Sequence, residues 1–183
     1  MASNIENVRE SLASKKIIGL VIPDAEYDEM LIEVAKGLSK DYTNILYISI
    51  NKSCESLNSK FKQSEMDRNK FYFIDCISRT SNDVMPDKNC IYVSSPKALD
   101  EIQTAILDIF REKKIDLVLI DSPSSLLTYY ERTDVLQFIH RLMAILIIAN
   151  CRGIFPFQKE GADSLRRSIE MFTNKIVNLE SGE

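Results

Sequence analysis

The fold is decided by the stretch Ile115-Asp116-Leu117-Val118-Leu119-Ile120-Asp121-Ser122-Pro123-Ser124-Ser125. The run up to Ile120 is apolar apart from Asp116, and an acid followed by serines and a proline ends it. A short apolar run without strict alternation is typical of a strand buried on both faces of a parallel sheet. Ligands of such sheets bind beyond the carboxyl ends of the strands, so Asp121 is placed at a candidate site.

Further apolar runs alternate with helical patterns along the chain. They are Ile17–Ile22, Ile45–Ile50, Phe71–Ile77, Cys90–Val93, Gly153–Phe157 and Ile176–Leu179. Strand–helix alternation predicts a parallel sheet with helices on both sides. The predicted fold class is therefore α/β, with three layers and a mostly parallel sheet. We predict one domain over residues 1–183, with residues 1–15 as an N-terminal extension.

Cap residues and apolar stripes predict the helices between these strands. Asp24 is predicted to cap the first helix and Ser95 to cap another, because Pro96 suits the first helical position. Shorter or later helices are predicted over Ser53–Ser64, from about Asp134, and from Asp163 or Ser164. The residues predicted to face inward are Tyr27, Met30, Leu31, Val34, Leu38, Leu57, Phe61, Leu99, Ile102, Ile106, Ile109, Phe110, Val135, Phe138, Ile139, Leu142, Leu146, Ala149, Leu165, Ile169 and Phe172.

The composition excludes several classes of protein. An apolar fraction of 45% with 27% charged residues is that of a globular domain, and a net charge of −4 argues against nucleic acid as a partner. The longest apolar stretch, Leu142–Ala149, is far shorter than the roughly 20 residues that a membrane helix needs. Residues 1–16 do not have the pattern of a signal peptide. We therefore expect a cytoplasmic protein with no membrane or nucleic-acid partner.

The four cysteines form no metal-binding pattern. They contain no Cys-x-x-Cys pair, and His140 is the sole histidine, so we expect neither zinc nor another cofactor. Cys76, Cys90 and Cys151 lie in or beside apolar runs and are predicted to be small core residues. Cys54 lies close to Lys52, which would lower the pKa of the thiol, but a partly exposed ordinary thiol is the simpler interpretation.

The turn after the first predicted strand has no phosphate loop. A phosphate loop has the pattern Gly-x-x-x-x-Gly-Lys-Ser/Thr, which supplies backbone N–H groups, a lysine and a metal-binding hydroxyl. After Gly19, the segment up to Glu29 has neither glycine nor lysine, and it carries Asp24, Glu26 and Asp28 as well as Glu29. These acids suit the N-terminus of a helix and would repel a bound phosphate.

Several short segments together resemble a known family. They are Asn44-Ile45-Leu46-Tyr47-Ile48-Ser49, Phe73-Ile74-Asp75, Val118-Leu119-Ile120-Asp121-Ser122 and Ile176-Val177-Asn178-Leu179. In their order and spacing the chain resembles the RecA-superfamily ATPases of the KaiC-like branch, in particular archaeal KaiC-like domains that lack the nucleotide motifs. The resemblance spans roughly Ile17 to Leu179, and it implies the frame of a P-loop NTPase without the P-loop.

The resemblance also implies where catalytic groups would lie. Active members use a phosphate loop after the first strand, a carboxylate after the second, and an acid that holds a magnesium-bound water. Asp121 matches the last of these, whereas Asn51-Lys52 stands where the second would be. Hydrolysis depends on positioning and charge stabilisation by such groups, so their absence argues against an ATPase. Each carboxylate within about 4 Å of a phosphate would cost on the order of 1–4 kcal/mol.

The candidate ligand-binding residues are Asp121, Ser122 and Asn51, and Asp121 is the candidate for metal binding. A structural acid that caps the following turn is the alternative for Asp121, since a single carboxylate is a poor magnesium site. No Gly-x-Ser-x-Gly elbow surrounds Ser122, Ser124 or Ser125, so turn formation is favoured over a nucleophile. His140 falls beside the apolar stripe of its helix and is interpreted as a surface or packing residue.

The sequence favours a non-catalytic RecA/KaiC-like domain that acts as an interaction or regulatory module, with signal transduction as the implied setting. The alternatives are an atypical nucleotide binder or weak ATPase that uses Asp121, and a different enzyme that uses Cys54 or a serine. A protein partner is expected, and self-association is compatible with it. Tyr129-Tyr130 have the composition of a binding hot spot, or else cover the end of the sheet. The deciding observation is whether the cleft beside Asp121 is open or filled by side chains such as Tyr27.

Overall fold

A parallel sheet forms the centre of the computed structural model, which describes residues 2–80, 84–159 and 163–180. Within these ranges the order of its seven strands is β4-β3-β2-β5-β6-β1-β7, and every neighbouring pair is parallel. In chain order the elements are α1 (Ala2–Ser14), β1 (Ile17–Ile22), α2 (Tyr27–Leu38), β2 (Ile45–Ser49), α3 (Cys54–Gln63), β3 (Phe71–Asp75), β4 (Cys90–Tyr92), α4 (Leu99–Glu112), β5 (Leu117–Asp121), α5 (Arg132–Ile148), β6 (Arg152–Gln158), α6 (Asp163–Glu170) and β7 (Lys175–Asn178).

The helices cover both faces of this sheet. Side chains of α1, α2 and α3 pack in one apolar core with one face, and side chains of α4, α5 and α6 pack in a second core with the other. The central strands β1, β2 and β5 are buried along their whole length, which explains their unbroken apolar runs. The predicted three-layer α/β fold with a parallel sheet is confirmed.

The predicted strands agree with the structure closely. The bounds of β1 are those predicted, and the other strands differ from prediction by at most two residues at either end. Helix α3 was predicted over Ser53–Ser64, and its cap is Ser53, whose hydroxyl accepts a hydrogen bond from the Ser56 amide at 3.1 Å. The alternation of apolar runs with helical patterns therefore predicted the strands, and capping chemistry predicted the start of α3.

Two predicted helix starts are wrong. Asp24 does not cap α2, because it opens a 3-10 turn (Asp24–Glu26) in which the Glu26 amide donates to the Pro23 carbonyl at 3.2 Å. Ser95-Pro96 does not begin α4, because the Ala98 amide bonds to the Ser95 carbonyl at 3.0 Å and closes a separate turn first. The later start of α2 matters for the site, since it makes Tyr27 the first residue of the helix.

Two residues predicted to face inward do not do so. Ala149 lies at the end of α5 and is exposed, and Phe172 lies beyond α6 and is 44% exposed. Both lie past the last helical turn, where the helical spacing no longer determines direction. No helix in the described ranges is both long enough and apolar enough to cross a bilayer.

The segment predicted as an N-terminal extension forms a helix of the first layer. Val8 and Leu12 of α1 are fully buried, and the Arg152 side chain donates to the Leu12 carbonyl at 2.9 Å. Helix α1 approaches α2 closely at Gly37, where an added Cβ would lie 2.5 Å from Cγ2 of Ile5. Residues 2–14 thus share the core of the sheet.

Candidate functional site

The strands β3 and β5, which flank β2, each end in a buried acid. Ser49, the last residue of β2, pairs in register with Asp75 of β3 on one side and with Asp121 of β5 on the other. Both carboxylates therefore lie at the carboxyl edge of the sheet, the edge at which parallel sheets bind their ligands. Asp75 is fully buried and Asp121 is 1% exposed.

The Asp121 carboxylate is surrounded by hydrogen-bond donors from other elements. The Tyr27 hydroxyl donates to Oδ1 at 3.2 Å, and the Tyr47 hydroxyl donates to Oδ2 at 2.8 Å. The Lys52 ammonium donates to Oδ2 at 2.7 Å and forms an ion pair with it. The space beside Asp121 is thus filled by side chains, and Tyr27 is one of them.

Each of these donors is held in place by its own element. The 3-10 turn after β1 delivers Tyr27 at the start of α2, where it is buried. Tyr47 lies in the middle of β2 and packs against the rings of Phe61 and Phe73 at 6.2 and 5.8 Å between centroids. A buried tyrosine hydroxyl requires a hydrogen-bond partner, and Asp121 provides it.

A tight turn after β2 fixes Lys52. The Ser49 hydroxyl donates to the Lys52 carbonyl at 2.7 Å and accepts from the Lys52 amide at 3.2 Å. The ammonium group also pairs with Asp28 of α2 at 2.7 Å, and Asp28 pairs in turn with Lys60 of α3 at 3.0 Å. Asp121, Lys52, Asp28 and Lys60 therefore form a chain of alternating charge that links the sheet to two helices.

The contacts in this network shift four pKa values. Burial and then the negative charge of Asp121 raise the pKa of Tyr27 and of Tyr47 well above the usual range. At Lys52, burial favours the neutral amine, but Asp121 and Asp28 outweigh it and raise the pKa. At Asp28, burial is outweighed by Lys52 and Lys60, so the pKa of the carboxyl is lowered. These shifts favour protonated Tyr27 and Tyr47 and a charged Lys52 ammonium group.

The other two candidate residues meet in a separate hydroxyl cluster. The Asn51 amide donates to Oγ of Ser125 at 3.1 Å, and the Ser122 hydroxyl lies 3.0 Å from the same oxygen. The Ser122 hydroxyl also lies 3.3 Å from that of Ser124. The cis peptide bond between Asp121 and Ser122 joins this cluster to the charged network. The structure thus brings Asn51, Ser122 and Asp121 to one edge, but the cluster itself contains no charged group.

The donor set around Asp121 fits an ammonium group and not a magnesium ion. Both carboxylate oxygens accept hydrogen bonds from side chains, so a metal would have to displace Lys52. Magnesium prefers several oxygen ligands in an octahedral arrangement. At this position Asp121 supplies one carboxylate, and both of its oxygens already accept hydrogen bonds. Across the part of the chain that the structure describes, no three acids, histidines or cysteines are grouped as a metal site.

The segment after β1 carries acids towards solvent. Asp24, Asp28 and Glu29 are exposed around the N-terminus of α2, and Glu26 is half-buried. A cavity of about 610 Å³ opens next to this turn, at the ends of β1, β6 and β7, with Lys159 as the cation on its wall. Backbone amides at a helix N-terminus attract anions, but the carboxylates here already occupy that role.

Asp75 ends its strand in a different environment. Its oxygens accept from the amides of Cys54, Ile77 and Ser78 at 2.7, 2.9 and 2.9 Å, and from the Ser78 hydroxyl at 2.6 Å. It therefore joins the start of α3 to the turn after β3.

The remaining candidates lie apart from Asp121. Cys54 is buried, which contradicts the expected partial exposure, and its sulfur contacts Arg68 and not Lys52. His140 is exposed, and its ring packs against Phe172 at 4.9 Å. Tyr130 is half-buried against the second core, and its hydroxyl accepts from the Leu99 amide at 3.3 Å, so it covers the start of α4.

Sequence reasoning missed Tyr47, Asp28 and Lys60 as members of the network. Tyr47 carried a recognisable signal, because a phenol in the middle of an apolar strand must find a partner. Lys52 stands where the resemblance places a carboxylate after the second strand, but its pairing with Asp121 cannot be predicted from the sequence. Asp121 ends β5 and Lys52 follows the end of the adjacent strand β2, and only the strand order reveals that the two strands are adjacent.

The fold has counterparts among solved structures, although no family model and no curated protein matches the chain. It is similar to the KaiC-like protein PH0186 from the hyperthermophilic archaeon Pyrococcus horikoshii OT3, with a TM-score of 0.63 and 16% identity over 92% of this chain and 74% of that one. It is also similar to the flagellar accessory protein FlaH from Methanocaldococcus jannaschii, with a TM-score of 0.57 and 12% identity over 91% and 73% of the two chains. At such identities the likeness shows the fold alone, which is RecA/KaiC-like.

Proposed function

We propose that this chain is a non-catalytic RecA/KaiC-like domain that acts as an interaction or regulatory module. Internal side chains take the place that nucleotide and magnesium have in active members of the superfamily. The observation that carries the proposal is the closure of the Asp121 carboxylate by Tyr27, Tyr47 and Lys52. An acid that is already paired with a half-buried ammonium group and two tyrosine hydroxyls has no free position for a metal-bound water.

The turn after β1 supports the same conclusion. It has no glycine and no lysine, so we interpret it as a degenerate phosphate loop. A bound triphosphate would meet the exposed carboxylates of Asp24, Asp28 and Glu29. The ammonium group of Lys52 cannot offset that charge, because Asp121 and Asp28 already share it. Phosphate binding in the usual mode is therefore disfavoured.

A module of this kind acts through a protein partner. We place it in the cytoplasm and in signal transduction on the basis of the fold resemblance and the free cysteines. Self-association is one form that the interaction takes. It is checked by light scattering across a range of protein concentrations, where a mass that rises from one to two chains indicates a homodimer.

Isothermal titration with Mg-ATP and Mg-ADP tests the proposal. We expect no binding heat at micromolar nucleotide, and no release of phosphate from ATP. The variant Asp121→Ala opens the network, and Asp116→Ala removes an acid from the opposite end of the same strand as a matched control. Circular dichroism establishes that both variants remain folded.

Micromolar binding that Asp121→Ala abolishes and Asp116→Ala preserves would overturn the proposal. It would favour the alternative, an atypical nucleotide binder or weak ATPase that uses Asp121. A nucleotide that binds the folded state would also stabilise it, by about 2.7 kcal/mol at a hundredfold excess over its dissociation constant. Thermal unfolding with and without nucleotide therefore gives a second, independent measurement.

A further inference from the structure

Bulky apolar side chains are exposed where α5 and α6 end. Ile147 and Ile148 are the final residues of α5 and are 54% and 85% exposed. Met171 and Phe172 directly follow α6 and are 81% and 44% exposed. Single exposed apolar residues are ordinary, whereas a group of them at one place marks a contact surface. We call these four residues the apolar patch.

Contacts at the starts of β1, β6 and β7 bring the two helix ends to one place. A Cβ added at Gly153 would lie 2.5 Å from Cδ1 of Leu146 and 3.2 Å from Cδ1 of Ile17, so the last turn of α5 lies against the start of β1. The Asn174 amide donates to the Ile17 carbonyl at 2.8 Å, which holds the segment after α6 on the other side of the same strand. The apolar patch therefore lies at the amino edge of the sheet.

Three lysines occupy the same edge. Lys15 and Lys16 precede β1 and Lys175 begins β7, and all three are exposed. The Gly153 amide donates to the Lys16 carbonyl at 2.8 Å, and Lys175 pairs in register with Ile18. Among the residues that the structure describes, none of the three lysines forms an ion pair. Their charges are therefore available to an anionic partner.

The two edges of the sheet differ in charge. The turn at the carboxyl edge carries the exposed acids Asp24, Asp28 and Glu29. The acids that precede the three lysines in the chain are Glu10 and Glu170, which belong to α1 and α6 and not to the strand starts. An anionic surface is therefore attracted at the amino edge and repelled at the carboxyl edge. The chain can approach such a surface in one orientation, although its net charge is −4.

The lysines and the shape of the apolar patch limit what can cover it. A second copy of the same surface would bring like charges opposite each other, which disfavours a symmetric dimer at this edge. Ile148 and Met171 are each more than four-fifths exposed, so they project from the surface and do not form a groove for a helix or a peptide. Projecting apolar side chains beside lysines suit the boundary between the headgroups and the acyl chains of an anionic bilayer.

We propose that the amino edge of the sheet binds reversibly to the surface of an anionic lipid bilayer. The apolar patch enters the boundary between headgroups and acyl chains, and the three lysines contact lipid phosphates. The contact is peripheral and needs no membrane-spanning helix. It departs from the expectation of no membrane partner, which rested on the short apolar stretches of the sequence. The inference goes beyond the proposed function and does not depend on whether Asp121 is closed to nucleotide.

Flotation with lipid vesicles tests the charge requirement. We expect binding to vesicles of phosphatidylglycerol and phosphatidylcholine in equal parts, weaker binding as salt is raised, and no binding to phosphatidylcholine alone. Lys15→Gln together with Lys16→Gln should lower the partition coefficient about thirtyfold, since each lysine near an anionic surface contributes roughly fivefold. Lys97→Gln together with Lys159→Gln removes the same charge from exposed positions at the carboxyl edge and should leave the coefficient unchanged.

A single tryptophan reports on insertion, because the chain contains none. Ile148→Trp places it in the apolar patch. Met85→Trp is the control, since Met85 is 84% exposed and lies on the wall of a cavity beside α3 and β4, away from the patch. Anionic vesicles should shift the emission of Ile148→Trp to the blue and leave that of Met85→Trp unchanged. Both side chains project into solvent, so the fold should tolerate either substitution.

Several results would overturn the proposal. They are a lack of flotation with anionic vesicles, equal binding by the wild type and the variant that lacks Lys15 and Lys16, and an unshifted emission of Ile148→Trp. A blue shift that appears without lipid and grows with protein concentration would assign the apolar patch to a second copy of the chain. Tighter binding to polyglutamate than to vesicles would assign it to an acidic protein segment. The nucleotide titration is unaffected by any of these results, so the two proposals fail separately.

Discussion

Asp75 and Asp121 are two buried acids that flank the same residue, Ser49, at the same edge of the sheet. They differ in what neutralises them. Asp75 accepts from three backbone amides and a serine hydroxyl, and all but one of these donors lie within three residues of it. Asp121 accepts from three side chains, and the donors are 69 to 94 residues away in sequence.

The difference shows two ways in which a carboxylate can be kept in a protein interior. Backbone amides and the Ser78 hydroxyl donate hydrogen bonds to Asp75 and hold it as part of a turn. These donors stabilise the charge of the carboxylate. Asp121 depends on the half-buried Lys52 cation, because burying an unpaired charge is costly. The charge of Asp121 is therefore balanced by side chains that other elements bring to it across the sheet.

The largest effect is expected from Lys52→Met, which leaves Asp121 buried without its cation. We expect a loss of about 3 kcal/mol in the free energy of unfolding, measured by urea denaturation. Lys60→Met is the control, since its pair with Asp28 is largely exposed and should contribute no more than about 1 kcal/mol.

A second substitution sharpens the comparison of the two acids. Adding Asp121→Asn to Lys52→Met should restore part of the lost stability, because it removes the uncompensated charge. Adding Asp75→Asn to the same background should not. Equal recovery from both would show that Lys52 acts on the whole edge and not on Asp121.

A smaller effect is expected from Asp75→Asn alone. The amide keeps one acceptor but turns its NH2 group towards backbone donors, so we expect a loss of about 2 kcal/mol in urea denaturation. Because the donors to Asp75 are backbone amides and the Ser78 hydroxyl, which carry no net charge, this loss should be the same at low and high salt. A strongly salt-dependent loss would contradict the backbone-held description.

The smallest effect at neutral pH is expected from Tyr27→Phe, which removes one hydrogen bond to Asp121 and should cost about 1 kcal/mol. Its signature lies at alkaline pH. The raised pKa of Tyr27 means that stability is fully present below the unfolded-state value near 10 and is lost as pH rises towards the folded-state value.

Unfolding free energies measured from pH 8 upwards check this sign. Above about pH 10 the wild-type curve should fall more steeply than the Tyr27→Phe curve, by about 1.4 kcal/mol per pH unit for the one tyrosine. Tyr47 and Lys52 also have raised pKa values and remain in the variant, so its curve should still fall. Parallel curves would mean that Tyr27 is not buried against Asp121.

Local patterns accounted for the central strands because β1, β2 and β5 are buried along their whole length between the two cores, which requires a mostly apolar sequence. They failed at α1, where Ile5, Val8 and Leu12 form a sparse apolar stripe in an otherwise polar segment. That stripe becomes part of the core because Gly37 lets α1 approach α2. Helix starts failed where a separate turn preceded the helix, since Asp24 and Ser95 satisfy a turn as readily as a cap.

The candidate site was predicted in part for the same reason. Asp121, Ser122 and Asn51 follow strand ends, and the carboxyl edge gathers strand ends in any parallel sheet. Which side chains point at Asp121 depends on strand order and on the angle at which α2 leaves β1. A sequence motif does not contain that information, so the cation at Lys52 and the phenol at Tyr47 had to come from the structure.

The sequence by itself determined the layered α/β frame and the lack of a glycine-rich phosphate turn, because hydrophobic period and backbone chemistry are local properties. The tertiary structure alone decided that Asp121 is enclosed by Tyr27, Tyr47 and Lys52, and that Arg68 contacts Cys54. Burial, charge pairing and pKa depend on groups brought together across the sheet, and their separation in the chain leaves no local trace.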